Sequence, residues 1–151
     1  MTFTSHMQAA LAEARAAAAR GEVPVGAVVV GQGGVLLAAA GNRTREMADP
    51  TAHAEVLAIR AACAALGTDR LTGCDLYVTL EPCPMCAAAI SLARVRRLYF
   101  GAADPKSGGV LAGARVFAHP QCHHVPEVYD GIAATEAGAL LQAFFAGLRA
   151  E

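Results

Sequence analysis

Two short runs hold the residues best equipped for chemistry: His53-Ala54-Glu55 and Pro82-Cys83-Pro84-Met85-Cys86. Cysteines at i and i+3 lie on one face of a helix. At a helix N-terminus their thiolates are favoured by the positive end of the dipole and by free backbone N–H groups. Such a turn prepares two anionic sulfur ligands for a metal. Zinc takes Cys and His ligands tetrahedrally, and a catalytic zinc keeps its fourth position for water. His53, Cys83 and Cys86 make three ligands, and Glu55 is left free to move protons between that water and a substrate. Residues i and i+2 of an ideal helix point about 200° apart. His53 and Glu55 therefore share a site only if the helix mouth is irregular or the metal sits over its end.

Two other readings fit parts of this pattern. A proline-flanked C-x-x-C after a strand also suits a redox dithiol. A structural zinc site would need a fourth protein ligand, which His119, His123 or His124 could supply. Glu55 discriminates against the structural site, because a closed metal centre has no use for an unliganded acid beside it.

The elements that must carry these residues are well punctuated. Ser5-His6-Met7-Gln8 has the form of a capping box, and the Ala/Leu-rich run that follows stops at Gly21, predicting a first helix. Val25–Val30 and Val35–Ala40, separated by Gly31-Gln32-Gly33-Gly34, read as a β-hairpin. Asn42–Pro50 is a polar loop. Asp49-Pro50-Thr51 supplies a cap and an N1 proline for a helix ending near Leu66-Gly67. Asp75–Leu80 is a third strand, Cys83–Ala93 a helix, Val95–Phe100 a fourth strand and Val125–Tyr129 a short fifth. Residues 101–124 are mostly loop with room for a short helix, and Ile132–Arg149 is a C-terminal helix. The order predicts an α/β fold: a three-layer α/β/α sandwich with a mixed sheet of about five strands.

The whole chain sets bounds on this reading. Its 151 residues predict one domain, 1–151, with a core that needs no disulfide staples. Five cysteines is an odd number, and Cys63, Cys74 and Cys122 stand alone, as small hydrophobes would. No apolar run has the length of a membrane span. Met1–Arg20 carries Glu13 and Arg15 in an amphipathic pattern and does not read as a signal peptide, so the expected location is the cytoplasm, with no membrane partner. Net charge is −1, so no global basic field announces a nucleic acid and any RNA contact must rest on a local patch.

With H-x-E and P-C-x-x-C both at helix starts, the sequence resembles the cytidine/deoxycytidylate deaminase superfamily, and most closely its tRNA adenosine deaminases. That signature is the established mark of zinc deaminases and of their shared mechanism. The resemblance runs from Met7 to about Arg149. It includes Glu22-Val23-Pro24-Val25-Gly26-Ala27, Asp49–Glu55, Tyr77–Cys83, Phe100-Gly101-Ala102, His119-Pro120 and Phe144-Phe145. It implies a cytidine-deaminase-like fold with one Zn2+ per chain, held by His53, Cys83 and Cys86. It implies hydrolysis of adenosine to inosine at the tRNA wobble position, by attack of zinc-bound hydroxide on adenine C6 with Glu55 as proton shuttle. It also implies a homodimer and a tRNA anticodon-loop partner.

For the substrate, the resemblance implies contacts from Asn42, Ala54, Asp104, Lys106 and Phe145. Asn42 would hydrogen-bond the turned-out nucleoside, Asp104 and Lys106 would meet neighbouring nucleotides, and Phe145 would flank the rim. The alternative substrate is a free base or nucleoside, guanine or cytosine, at the same zinc site. A zinc-stabilised interaction module is the non-enzymatic alternative. Two features depart from the family pattern. Ala88 stands where many members have glycine, which would tighten packing under the site, and the last helix has few basic residues. Lys106 is the only lysine, so the expected local patch comprises Arg94, Arg96, Arg97, Lys106, Arg115, His119, His123 and His124.

Overall fold

The computed structural model describes residues 3–150. Four helices, α1 (Met7–Ala19), α2 (Ala54–Leu66), α3 (Pro84–Ala93) and α4 (Ala134–Ala150), cover a five-stranded sheet. The strands are β1 (Gly26–Val30), β2 (Leu36–Gly41), β3 (Asp75–Leu80), β4 (Arg97–Ala102) and β5 (Glu127–Tyr129), in the order β2-β1-β3-β4-β5. β1 runs antiparallel to both β2 and β3, while β3, β4 and β5 are parallel, so the sheet is mixed as expected. The β3–α3–β4 crossover is the connection that a parallel pair requires.

Side chains alternate between two cores, one on each face of the sheet. Ala27 and Val29 of β1, Leu76 and Val78 of β3, and Leu98 and Phe100 of β4 pack with α2 and α3. Val28, Val30, Tyr77 and Tyr99 face the other way, toward Met7, Ala10 and Leu11 of α1 and Ala137 of α4. A strand buried on both faces reads as a continuous apolar run, which is the form of Gly26–Val30. Close helix approach explains Gly26, where a Cβ would lie 2.0 Å from the Ala10 carbonyl oxygen. No described helix is long and apolar enough to cross a membrane.

At three of the boundaries that differ from the sequence reading, a hydrogen bond is spent elsewhere. At the first helix, Ser5 Oγ does accept the Met7 N–H at 3.1 Å. The Gln8 amide, however, reaches Glu136 at 3.4 Å instead of closing a capping box. The fourth strand begins at Arg97, not Val95, because the Val95 N–H closes the end of α3 on the Ile90 carbonyl at 3.3 Å. The shift is two residues, so the faces of the strand are unchanged. The third difference, at the start of α2, builds the site.

Candidate active site

Asp49 does not cap α2. Its carboxylate accepts the Thr51 N–H and hydroxyl at 2.8 and 2.7 Å, a local turn that leaves Pro50 outside the helix. α2 starts only at Ala54, and its first N–H is taken by the Asn42 side-chain oxygen, 2.8 Å away at the end of β2. His53 is therefore the extended residue before the helix, with φ −76° and ψ 151°. The condition for His53 and Glu55 to share a site, an irregular helix mouth, is met for that reason. His53 turns toward the sulfurs, and Glu55 projects from the first turn. Cys83 likewise precedes α3 in extended conformation, with Pro84 opening the helix and Cys86 one turn in.

Both helix mouths meet at the C-terminal ends of β3 and β4, where open α/β sheets place their sites. His53 Nδ1 lies 3.6 Å from Cys83 Sγ and 3.5 Å from Cys86 Sγ. Zinc bonds of about 2.3 Å to sulfur and 2.0–2.1 Å to nitrogen at a tetrahedral angle give a ligand edge of about 3.6 Å. The donor set and its spacing thus fit zinc. Without an ion the three groups share protons. Cys83 is held down to about 4, chiefly by its hydrogen bond with Cys86 and then by His53. Cys86 is pushed up by that same bond and by burial, and His53 is pushed up by Cys83. No other cluster of three or more His, Cys, Asp or Glu side chains able to hold a metal occurs among the described residues. His119 and His124 instead bond the carbonyls of Ala114 and Val95, each at 2.8 Å, so the fourth ligand of a closed structural site is not in place.

Glu55 is buried, with 4% of its surface exposed, and burial pushes its carboxyl up to about 7. It shares a cavity of about 240 Å³ with Asn42, His53, Cys83 and Asp104. An acid near neutrality beside a metal triad is matched to proton transfer in both directions. Asn42 is oriented by Ala54: its oxygen is occupied, so its NH2 is the group it can turn to a ligand. Ala54 itself is fully buried, does not line the cavity, and has its N–H committed to Asn42.

The cavity is not closed. Val23, Leu80, Asp104 and Ser107 also wall a second, larger hollow of about 630 Å³ that runs to Lys106, Leu141, Phe145 and Arg149. Asp104, Lys106 and Phe145 thus gather along one groove. The expected basic patch does not. Arg96 and Arg97 lie at the opposite end of β4, bound to Asp75 at 3.0 Å and Glu127 at 2.7 Å, and Arg94 bonds the Ser91 carbonyl. Ala88 is exposed on α3 and faces a separate trough with Leu92, His119 and His123. Its methyl therefore does not tighten packing under the metal site.

Sequence reasoning gave no role to Glu22 and Glu81, each only 2% exposed. Burial raises both carboxyls, but backbone N–H groups of two loops outweigh it and hold both below the ordinary carboxylate range. Groups so depressed contribute stability above that range and lose it as pH falls through their folded values. The available signal was an acid between a strand and Pro82 with no partner nearby in sequence.

Fold and site together define a zinc-dependent deaminase. Residues 2–102 match the model of the cytidine and deoxycytidylate deaminase zinc-binding region. The chain is 61% identical over 142 residues to the tRNA-specific adenosine deaminase of Agrobacterium fabrum, covering 94% of this chain and 93% of that protein. A structure solved in a study of A-to-I editing by tRNA:A34 deaminases matches with TM-score 0.88 and 61% identity, over 89% of this chain and 97% of the other. A guanine deaminase from Nitrosomonas europaea matches at TM-score 0.79 and 27% identity, over 97% and 87%. The chain belongs to the cytidine and deoxycytidylate deaminase zinc-binding family and, within it, to the tRNA-specific adenosine deaminases.

Proposed function

We propose that residues 1–151 form one deaminase domain that converts adenosine to inosine at the wobble position of a tRNA anticodon loop. In this reading His53, Cys83 and Cys86 hold zinc. Bound there, the ion supplies the Lewis acidity that makes water a nucleophile near neutral pH. Glu55 takes one proton from the attacking water and passes it to adenine N1. It then takes the second from the hydroxyl left on C6 and passes it to the amino group, which departs as ammonia as the C6 carbonyl forms. Asn42 donates its NH2 to an acceptor on the turned-out nucleoside. Asp104 stands at the cavity mouth, while Lys106 and Phe145 receive the neighbouring nucleotides.

The observation that carries RNA over a free base is the continuity of the 240 Å³ cavity with the 630 Å³ groove. A base still attached to its chain must leave room for flanking phosphates, whereas a free-base enzyme encloses a small ligand. We assign a second copy of the chain to the trough of about 270 Å³ along α3. Nearby, Leu92 is 60% and Met85 37% exposed, apolar surface suited to a homodimer. The proposed location is the cytoplasm.

Inosine formation on an anticodon stem-loop with adenosine at the wobble position tests the reading. Lys106 and Arg149 are the cations of the groove, so Lys106→Ala is expected to weaken stem-loop binding. It should also flatten the plot of log affinity against log salt by roughly 0.7–0.9 for one lost phosphate contact. Titrations at several salt concentrations read this directly. An unchanged slope would remove Lys106 from the interface.

A further inference from the structure

Two carboxylates that the chemistry does not use flank the cavity mouth, one on each side. Neither joins a salt bridge among the described residues; each is filled by backbone N–H groups of one rim loop. Glu22, between α1 and β1, accepts from Arg45 at 3.1 Å and Glu46 at 2.9 Å, with the Thr44 hydroxyl at 3.5 Å. Glu81, at the end of β3, accepts from Asp104 at 3.0 Å on Oε1. Its Oε2 takes Val110, Leu111 and Ala112 at 3.2, 2.8 and 3.0 Å. Thr44 walls the cavity on the first rim, and Asp104 and Ser107 wall it on the second.

A buried carboxylate is tolerated only when its lone pairs are satisfied. Here the loops satisfy them, so each carboxylate fixes the path of its loop. On the second rim two glycines fix it further. A Cβ at Gly108 would lie 2.7 Å from the Glu81 carboxylate, and one at Gly109 would lie 2.6 Å from Pro84 N. The Gly109 N–H also bonds the Pro82 carbonyl at 2.8 Å. The second rim is thereby tied to the turn that presents Cys83 and Cys86.

We propose that Glu22 and Glu81 are positioning residues that hold the two rims in a preformed open geometry, so that an RNA strand with one nucleotide turned out enters without loop closure. The inference rests on the RNA reading above. A rim ordered before binding costs no ordering on association, so its loss falls on KM more than on the chemical step.

The test uses the zinc-loaded full chain with Glu22→Gln and Glu81→Gln. The amide keeps the shape but offers one acceptor and turns an NH2 toward N–H donors. Steady-state kinetics on the wobble-adenosine stem-loop should show KM rising about ten-fold or more, the size expected when a buried N–H loses its acceptor. In the same variants kcat and zinc content should stay near wild type. Amide exchange at Arg45 and Glu46, or at Leu111 and Ala112, should be slow in wild type and accelerate in the matching variant.

Glu81 lies two residues from Cys83, so Glu22→Gln, remote from the metal ligands, is the deciding variant. A fall in kcat at unchanged KM, or no change in either, overturns the proposal. So does fast rim exchange in the wild-type holoenzyme, which needs no variant to fold. A wild type with slow rim exchange that leaves the stem-loop untouched overturns the RNA reading and the substrate named here, while the clamps themselves stand.

Discussion

Glu55→Ala is expected to retain one zinc per chain and the native fold while losing turnover by about 10²–10⁴-fold or more, the share that positioned acid–base help contributes. Glu55 is not among the three groups spaced for the metal, so its loss leaves the ligands in place. It sits in the first turn of α2, where alanine is an excellent helix former. The variant also removes an ionisable group that burial already disfavours, so a loss of fold is not expected. Metal analysis and thermal melting establish that the site is intact, and single-turnover kinetics then read the proton transfer alone. Near-normal turnover in a zinc-loaded Glu55→Ala protein would make Glu55 a bystander and the mechanism wrong.

The second large effect concerns the metal. Cys83→Ser or Cys86→Ser should lower both zinc content and thermal stability, because the ion ties the start of α2 to the start of α3. Serine is a favoured residue at the position Cys83 occupies before a helix, so the substitution itself does not weaken α3, and any loss is charged to the metal. For an ion present at a thousand times its dissociation constant the linkage is about 4 kcal/mol. For a chain of this size that is a fall in Tm of roughly 8–16 °C. Full zinc occupancy in the double variant would show that the ligands lie elsewhere.

Much of this was legible in the chain because it was local. The apolar runs of β1 and β3, the stop at Gly67 and the prolines beside Cys83 each act within a few residues. The start of α2 was not legible in the same way. Its cap comes from Asn42, twelve residues away and across a loop, while Asp49, which looks like a cap, is occupied by Thr51. The metal triad was readable from residue types, but its geometry was not, since it depends on His53 being extended. The basic patch was misjudged because sequence proximity of Arg94, Arg96 and Arg97 says nothing about which end of β4 carries the site. Glu22 and Glu81 were invisible as clamps, because their partners are backbone groups of loops more than twenty residues away.

The central claim, deamination of adenosine within an anticodon loop, is tested most directly by mass analysis of products from purified zinc-loaded protein. Substrates are a wobble-adenosine stem-loop, free adenosine, guanine and cytosine, each incubated separately. The account predicts a gain of one mass unit at the wobble adenosine, with the free compounds turned over poorly. Efficient conversion of a free base with an unmodified stem-loop would contradict it, leaving the zinc chemistry and removing the RNA.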